Sequence, residues 1–242
     1  MKSTVKRIFF SKDIYIPALA LLFLSLPFYF WNIDIRVSEW FYVGTAKYRH
    51  HWALAHKWPW EMLYNYGTWP AIALSIFALL VFISSLFYKK NLKYRKAAIY
   101  LVAVMLIGPG LIVDVAFKGN FGRPRPTDII EFGGTQQYHQ LLKPNWGVNN
   151  DKSFPCGHCS CAFYFFAFYF LFKGNRRKWL PYAGLGVGVG YGILMGTARI
   201  VQGGHFISDV IWSAGFVYLT AGIIYYIMYK EPKKKSGIPL EA

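Results

Sequence analysis

Apolar residues run along this chain in blocks, without the strict alternation of half-buried strands. Six blocks stand out, at about 14–31, 69–88, 97–117, 160–172 (extended by its flanks), 180–198 and 207–229. Several approach the roughly 20 residues that a helix needs to cross a bilayer. The pattern predicts an all-α, polytopic membrane protein. Its six transmembrane helices form one bundle and one domain, residues 1–242, with short interfacial helices on the outer side. No long-period repeat or low-complexity linker divides it.

The blocks carry local detail. The fifth reads "GLGVGVGYGILMG", with Gly184, Gly188, Gly192 and Gly196 on one helical face. In lipid such a face lets helices approach closely, and no strand precedes it, so it is a packing surface and not a nucleotide loop. The third contains Gly108-Pro109-Gly110, which should kink or loosen the helix. Asp114 precedes Lys118 by four residues, the spacing of a helical ion pair. Between the first two blocks, residues 32–68 and their edges hold Trp31, Trp40, Trp52, Trp58, Trp60 and Trp69. They suit an aromatic belt at headgroup depth, compatible with a lid or lipid-entry surface.

Composition agrees. Of 242 residues, 55% are hydrophobic and 16% charged, against about 25% charged in soluble domains. The net charge of +16 would suit nucleic acid, but its distribution argues against that partner. Most Lys and Arg flank alternate blocks: Lys2, Lys6, Arg7 and Lys12; Lys89, Lys90, Lys93, Arg95 and Lys96; Lys173, Arg176, Arg177 and Lys178; Lys230 and Lys233 to Lys235. Basic loops mark the cytoplasmic side, so both termini should be cytoplasmic and residues 32–68, 118–159 and around 199 outside. Residues 1–31 fit an uncleaved first span better than a signal peptide, because Ala18-Leu19-Ala20 falls inside the apolar core.

The outer segments hold the candidate chemistry. Lys118, Arg123 and Arg125 lie in "KGNFGRPRP", stiffened by Pro124 and Pro126. Arginine offers a planar fork and lysine a point charge to an anion. "PCGHCS" opens the fourth block, where a helix start would present backbone N–H groups to an anion with His158 at its mouth. In "ARIVQGGHFISD", Arg199 closes the fifth block while His205 and Asp209 share a helical face. A carboxylate beside an imidazole fixes its tautomer and raises its basicity. Such a histidine can act as nucleophile or general base. Cations for phosphoryl oxygens, a nucleophile and an acid for the leaving group are what phosphoryl transfer demands. The other outer carboxylates, Asp34, Glu39, Glu61, Asp128, Glu131 and Asp151, are scattered and form no magnesium cluster. A metal-free phosphohistidine route fits better, with no cofactor.

These stretches together resemble the three-part signature of the type 2 phosphatidic acid phosphatase superfamily of membrane lipid phosphatases: K-x6-R-P, P-S-G-H and S-R-x5-H-x3-D. Here they read Lys118…Arg125-Pro126, Pro155-Cys156-Gly157-His158 and Ala198-Arg199…His205…Asp209. The resemblance implies that His205 attacks phosphorus, Asp209 orients it, and His158 protonates the leaving group and then activates water. It assigns Lys118, Arg125 and Arg199 to the phosphoryl oxygens. Arg123 lies outside the minimal motif and joins them on proximity. Cys156 and Ala198 replace the motif serines, so phosphate would rest more on backbone N–H groups such as that of Gly157 than on a thiol, a weaker donor than a hydroxyl. The substrate implied is a membrane lipid in the outer leaflet of a bacterial inner membrane, with the site facing the periplasm. The long loop 127–152, with "EFGG" and Trp146, resembles bacterial lipid A phosphatases more than the broad-specificity ones, which implies lipid A first. Undecaprenyl pyrophosphate, phosphatidylglycerol phosphate and phosphatidic acid are the alternatives, and a phosphate-lipid transporter without catalysis is the rival class.

The three cysteines admit other readings. A zinc site at Cys156, Cys159, Cys161 and His158 lacks the second cysteine pair that such sites use. A cysteine-phosphatase loop needs C-x5-R, and the sixth residue after each cysteine is Ala162, Phe165 or Ala167. A Cys156–Cys159 disulfide would be strained across a helical i,i+3 step, and Cys159 and Cys161 are expected to pack the bundle.

Overall fold

The computed structural model describes residues 9–44, 52–147 and 152–229. Lys2, Lys6, Arg7, Asp151 and the basic tail from Lys230 lie outside them. The described residues are helical with no named strand, only isolated bridges such as Arg123 with Lys152.

Helix α1 (Lys12–Phe30) is followed by the short α2 (Ile33–Glu39). Helix α3 (Trp60–Tyr66) leads almost directly into α4 (Trp69–Phe87). Helix α5 (Leu92–Met105) widens into π-helical geometry over Leu106–Lys118, where Pro109 supplies no N–H to the α ladder. Helix α6 (Gly157–Phe163) runs through a tight 3-10 turn into α7 (Ala167–Leu171). Helices α8 (Leu180–Val201) and α9 (Ile207–Tyr229) complete the described residues.

Among the described residues, five segments are long and apolar enough to cross a membrane: Lys12–Phe30, Trp60–Phe87, Lys89–Lys118, Leu180–Val201 and Ile207–Tyr229. The fourth expected span is the shorter apolar stretch Gly157–Leu171. Its start is set by Cys156, whose backbone is still extended at φ −77° and ψ 108°. The second span begins earlier than its apolar block, because α3 abuts α4.

Close helix contact rests on the glycine face of α8. A Cβ on Gly192 would come within 1.9 Å of the Phe163 ring, and one on Gly188 within 2.6 Å of Phe166. These positions therefore bring α8 against α6 and the turn after it. Helix α9 sits centrally and packs on α1, α5, α6 and the π-helical segment. Helices α1 and α4 expose apolar side chains such as Phe23 (73%) and Phe77 (64%), a surface suited to lipid and not to water.

Polar contacts divide between the two ends of the bundle. At one end Asp13 takes Lys173 and Tyr226 as partners, and Arg95 donates to the Ser85 hydroxyl and carbonyl at 3.0 and 2.9 Å. At the other end Lys118, Gly157, Arg199 and His205 meet.

Candidate active site

Each candidate side chain stands at a helix end. Helix α9 is entered through Gly203-Gly204-His205-Phe206. Gly203 has φ +65, a conformation open to glycine at little cost. A Cβ on Gly204 would lie 2.2 Å from Arg199 Nη2, so the missing side chain makes room for the guanidinium. Asp209 is the third residue of α9, and its Oδ2 accepts the Phe206 N–H at 2.9 Å. That is the reach-back half of a capping box, and it fixes the carboxylate beside the His205 ring.

His205 is 2% exposed. Its Nδ1 lies 2.6 Å from the Ser153 carbonyl and 3.6 Å from Asp209 Oδ2. A carbonyl only accepts, so Nδ1 carries the hydrogen and Nε2 keeps its lone pair. The direct bond thus comes from Ser153, with Asp209 one step farther than the spacing of four suggests. The Ser153 hydroxyl in turn donates to Asp209 Oδ2 at 2.6 Å. Burial pushes the His205 pKa down to about 4, with Asp209 pulling it up and Arg199 reinforcing the drop.

Behind Asp209 stands Arg123, whose side chain is wholly buried. Its Nη1 bonds Asp209 Oδ1 and donates to Ser208 Oγ at 2.8 Å. Its Nη2 donates to Asp34 Oδ2 at 2.6 Å and contacts the Tyr138 hydroxyl at 3.4 Å, and its Nε donates to the His139 carbonyl at 2.9 Å. Burial works against the charge, but Asp209 and Asp34 outweigh it and hold the pKa above its ordinary value. All of Arg123's nitrogens are thus engaged by protein acceptors. These contacts take up its donors, unlike those of the phosphate ligand expected from its place in "GRPRP". Asp34 also takes the Ser208 N–H at 3.0 Å and the Ser208 hydroxyl at 2.7 Å.

Lys118, Arg199, His158 and His205 lie within electrostatic range of one another, and Arg125 within range of Arg199. Lys118 pairs with Asp114 at 3.3 Å, as the spacing predicts. Lys118 also crowds Gly157, where a Cβ would meet its Nζ at 2.7 Å. Arg199 is buried, gives Nη1 to Gln202 Oε1 at 2.5 Å, and keeps its buried Nε–H without a protein partner. A buried, unpaired guanidinium N–H is costly unless a ligand takes it.

Cys156 departs from its expected part. Its sulfur is bonded to Cys159 and accepts the Cys159 N–H at 3.1 Å, so no S–H remains to donate to phosphate. The bridge forms because Cys156 is the extended residue before the helix and not a helical one. Its Cα stands 5.2 Å from that of Cys159, within the ordinary disulfide range. Three residues of the site carry no role in the sequence reading: Ser153, Asp34 and Tyr64. Asp34 was one of several scattered loop acids, and Tyr64 one of many outer aromatics. Tyr64 stacks on His158 with centroids 5.1 Å apart and an interplanar angle of 21°, and its ring centroid is 4.5 Å from the Arg199 guanidinium carbon.

Imidazoles and cations gathered at the ends of apolar helices define a class of membrane protein suited to an oxyanion beside a lipid phase. The family model described as the PAP2 superfamily matches residues 96–233, which contain Lys118, Arg125, His158, Arg199, His205 and Asp209. The chain belongs to that superfamily. It is 32% identical over 213 residues to a lipid A 4′-phosphatase of Francisella tularensis subsp. novicida (strain U112), covering 87% of this chain and 91% of that protein. A lipid A 4′-phosphatase of Rhizobium leguminosarum is 30% identical over 50% of this chain and 51% of its own length. One of Rhizobium etli is 31% identical over 50% and 46%. No solved structure matches.

Proposed function

We propose that this protein removes the 4′-phosphate of lipid A at the outer face of a bacterial inner membrane, through a phosphohistidine intermediate and without a metal or cofactor. Its family and its relatives make it a phosphatase of lipid phosphates, a phosphoric monoester hydrolase. The observation that carries the mechanism is His205, neutral by burial, with Nδ1–H held by the Ser153 carbonyl and Nε2 left as nucleophile.

In this reading Lys118, Arg125, Arg199 and the Gly157 N–H hold the phosphoryl oxygens. Nε2 of His205 forms a bond to phosphorus as the bond to the sugar oxygen breaks, and His158, protonated once the bound phosphate's negative charge offsets Lys118 and Arg199, gives that oxygen its proton. His158, now neutral, takes a proton from water as the hydroxide attacks phosphorus and the P–N bond breaks. Phosphate leaves and His205 is restored. Electrostatic stabilisation of the charge developing on the phosphoryl oxygens supplies most of the acceleration.

The topology belongs to the same proposal. Residues 1–242 form one domain of six spans, with Gly157–Leu171 the shortest, α2 and α3 interfacial, both termini cytoplasmic and the site periplasmic. The bilayer is then both solvent and source of substrate. Release of phosphate from a purified panel of lipid A, undecaprenyl pyrophosphate, phosphatidylglycerol phosphate and phosphatidic acid tests it. Lipid A should be the best substrate, and His205→Ala should lower its turnover by at least about 10³-fold. Faster turnover of another panel member overturns the substrate, and activity surviving in His205→Ala overturns the mechanism.

A further inference from the structure

We propose that the cavity beside Tyr64 is a sugar subsite that receives the hexosamine ring bearing the scissile phosphate. The inference rests on the phosphatase reading above and adds where the leaving group sits. The cavity has a volume of about 490 Å³, and Glu61, Tyr64, Asn65, Thr127, Asp128 and Arg199 are among its lining residues. It opens directly from the cation cluster, since Arg199 belongs to both.

Its position follows from α3. Gln202, three residues beyond Arg199, donates its amide to the Ala55 and Trp60 carbonyls, each at 3.2 Å, and so ties the start of α3 to the end of α8. Tyr64 then projects between His158 and Arg199, face to face with the imidazole. If His158 protonates the departing oxygen while His205 attacks from the other side, the alcohol fragment must lie on the His158 side of phosphorus. The space assigned to it is this cavity, whose wall includes Tyr64, the residue stacked on His158, and Arg199.

Its chemistry selects what enters. Two carboxylates, Glu61 and Asp128, stand in the wall with Asn65 and Thr127. Carboxylates disfavour a second phosphate and accept O–H and N–H groups. Glu61 contacts His56 at 3.4 Å and Asp128 accepts the Thr127 hydroxyl at 2.9 Å, and an acyl chain would strip water from their remaining acceptor positions without replacing it. A ring carrying hydroxyl and amino or amide groups satisfies them. A few convergent polar groups in a cavity of several hundred Å³ are the usual form of a small-molecule site. This is a specificity site and not part of the bond-breaking machinery, and Tyr64 positions His158 without touching phosphorus.

The test uses the purified full-length protein in detergent and two non-hydrolysable phosphonates, analogues of glucosamine 4-phosphate and of glycerol 3-phosphate. The hexosamine analogue should bind at least about tenfold tighter, roughly 1.4 kcal/mol. Asn65→Ala and Asp128→Asn should each remove most of that preference while shifting the glycerol analogue less than about twofold. Retained affinity for the glycerol analogue also reports that each variant is folded. Equal binding of the two analogues by the unaltered protein overturns the subsite, as does parallel loss of both in the variants. Lipid A turnover by the unaltered protein is measured beside it. A sugar preference without turnover keeps the subsite and rejects the lipid A reading; turnover without a preference does the reverse.

Discussion

Asp209 receives three donors, from Arg123, Ser153 and the Phe206 amide. Arg123 is the costliest to disturb, because it compensates two buried carboxylates. Arg123→Met should destabilise the protein by about 3–5 kcal/mol, read as a lower unfolding temperature in detergent. Arg123→Lys keeps the charge but not the fork and should fall between. Equal stability of Arg123→Met and the parent would remove Arg123 from this role. His205 makes a second prediction at this scale. Its folded pKa of about 4 lies below the ordinary value of about 6.5. The nucleophile therefore stays neutral until pH approaches 4, and imidazole ¹⁵N shifts should show its midpoint there. The same difference makes its contribution to stability complete above about pH 6.5 and progressively lost as pH falls from there toward 4. A midpoint near 6.5 would mean that the ring is solvated. Most of this site was legible in the chain, since Lys118, Arg125, His158, Arg199, His205 and Asp209 sit at fixed spacings. The roles of Arg123 and Asp34 were not. Nothing local separates Arg123 from Arg125, and the contact that decides it comes from Asp34, 89 residues away. Ser153 lay three residues before Cys156, but its contact with His205 is through a backbone carbonyl, which side-chain patterns do not reveal, and its hydroxyl reaches Asp209 from 56 residues away.

The helices carry the site through their ends, so their packing sets its geometry. The glycine face of α8 was readable from its spacing of four, and the neighbour it admits is Phe163 of α6, the helix that carries His158. Gly192→Ala should overpack this contact and lower stability by about 1–3 kcal/mol. Gly190→Ala, whose Cβ would find open space, is the matched control and should change little. Equal effects of the two would mean that helix propensity and not close packing governs α8. The loosening at Gly108-Pro109-Gly110 was also legible, because proline removes a helix donor. The shortness of Gly157–Leu171 was less so. Its apolar flank continues into Phe172 and suggests a longer span, whereas the extended backbone at Cys156 and the turn at Tyr164–Phe166 limit the helix. That same extended residue allows the Cys156–Cys159 bridge, which a uniformly helical reading of the stretch disfavours.

For the whole molecule, the apolar blocks and the basic loops between them indicated a membrane bundle with chemistry at one end, and the helices now place Asp13 with Lys173 at the end opposite His205. The proposed orientation puts Glu131 outside and Asn175 inside, both exposed. In intact spheroplasts Glu131→Cys should react with an impermeant maleimide and Asn175→Cys should not; the reverse pattern would invert the topology. The central claim concerns the bond made during turnover. Brief exposure of the purified protein to lipid A labelled with ³²P at the 4′ position, followed by alkaline quenching, should leave label on the peptide containing His205 as an acid-labile, base-stable phosphoramidate, with none on His205→Ala. Full turnover with no protein-bound label, or label on any other residue, would contradict a nucleophilic His205.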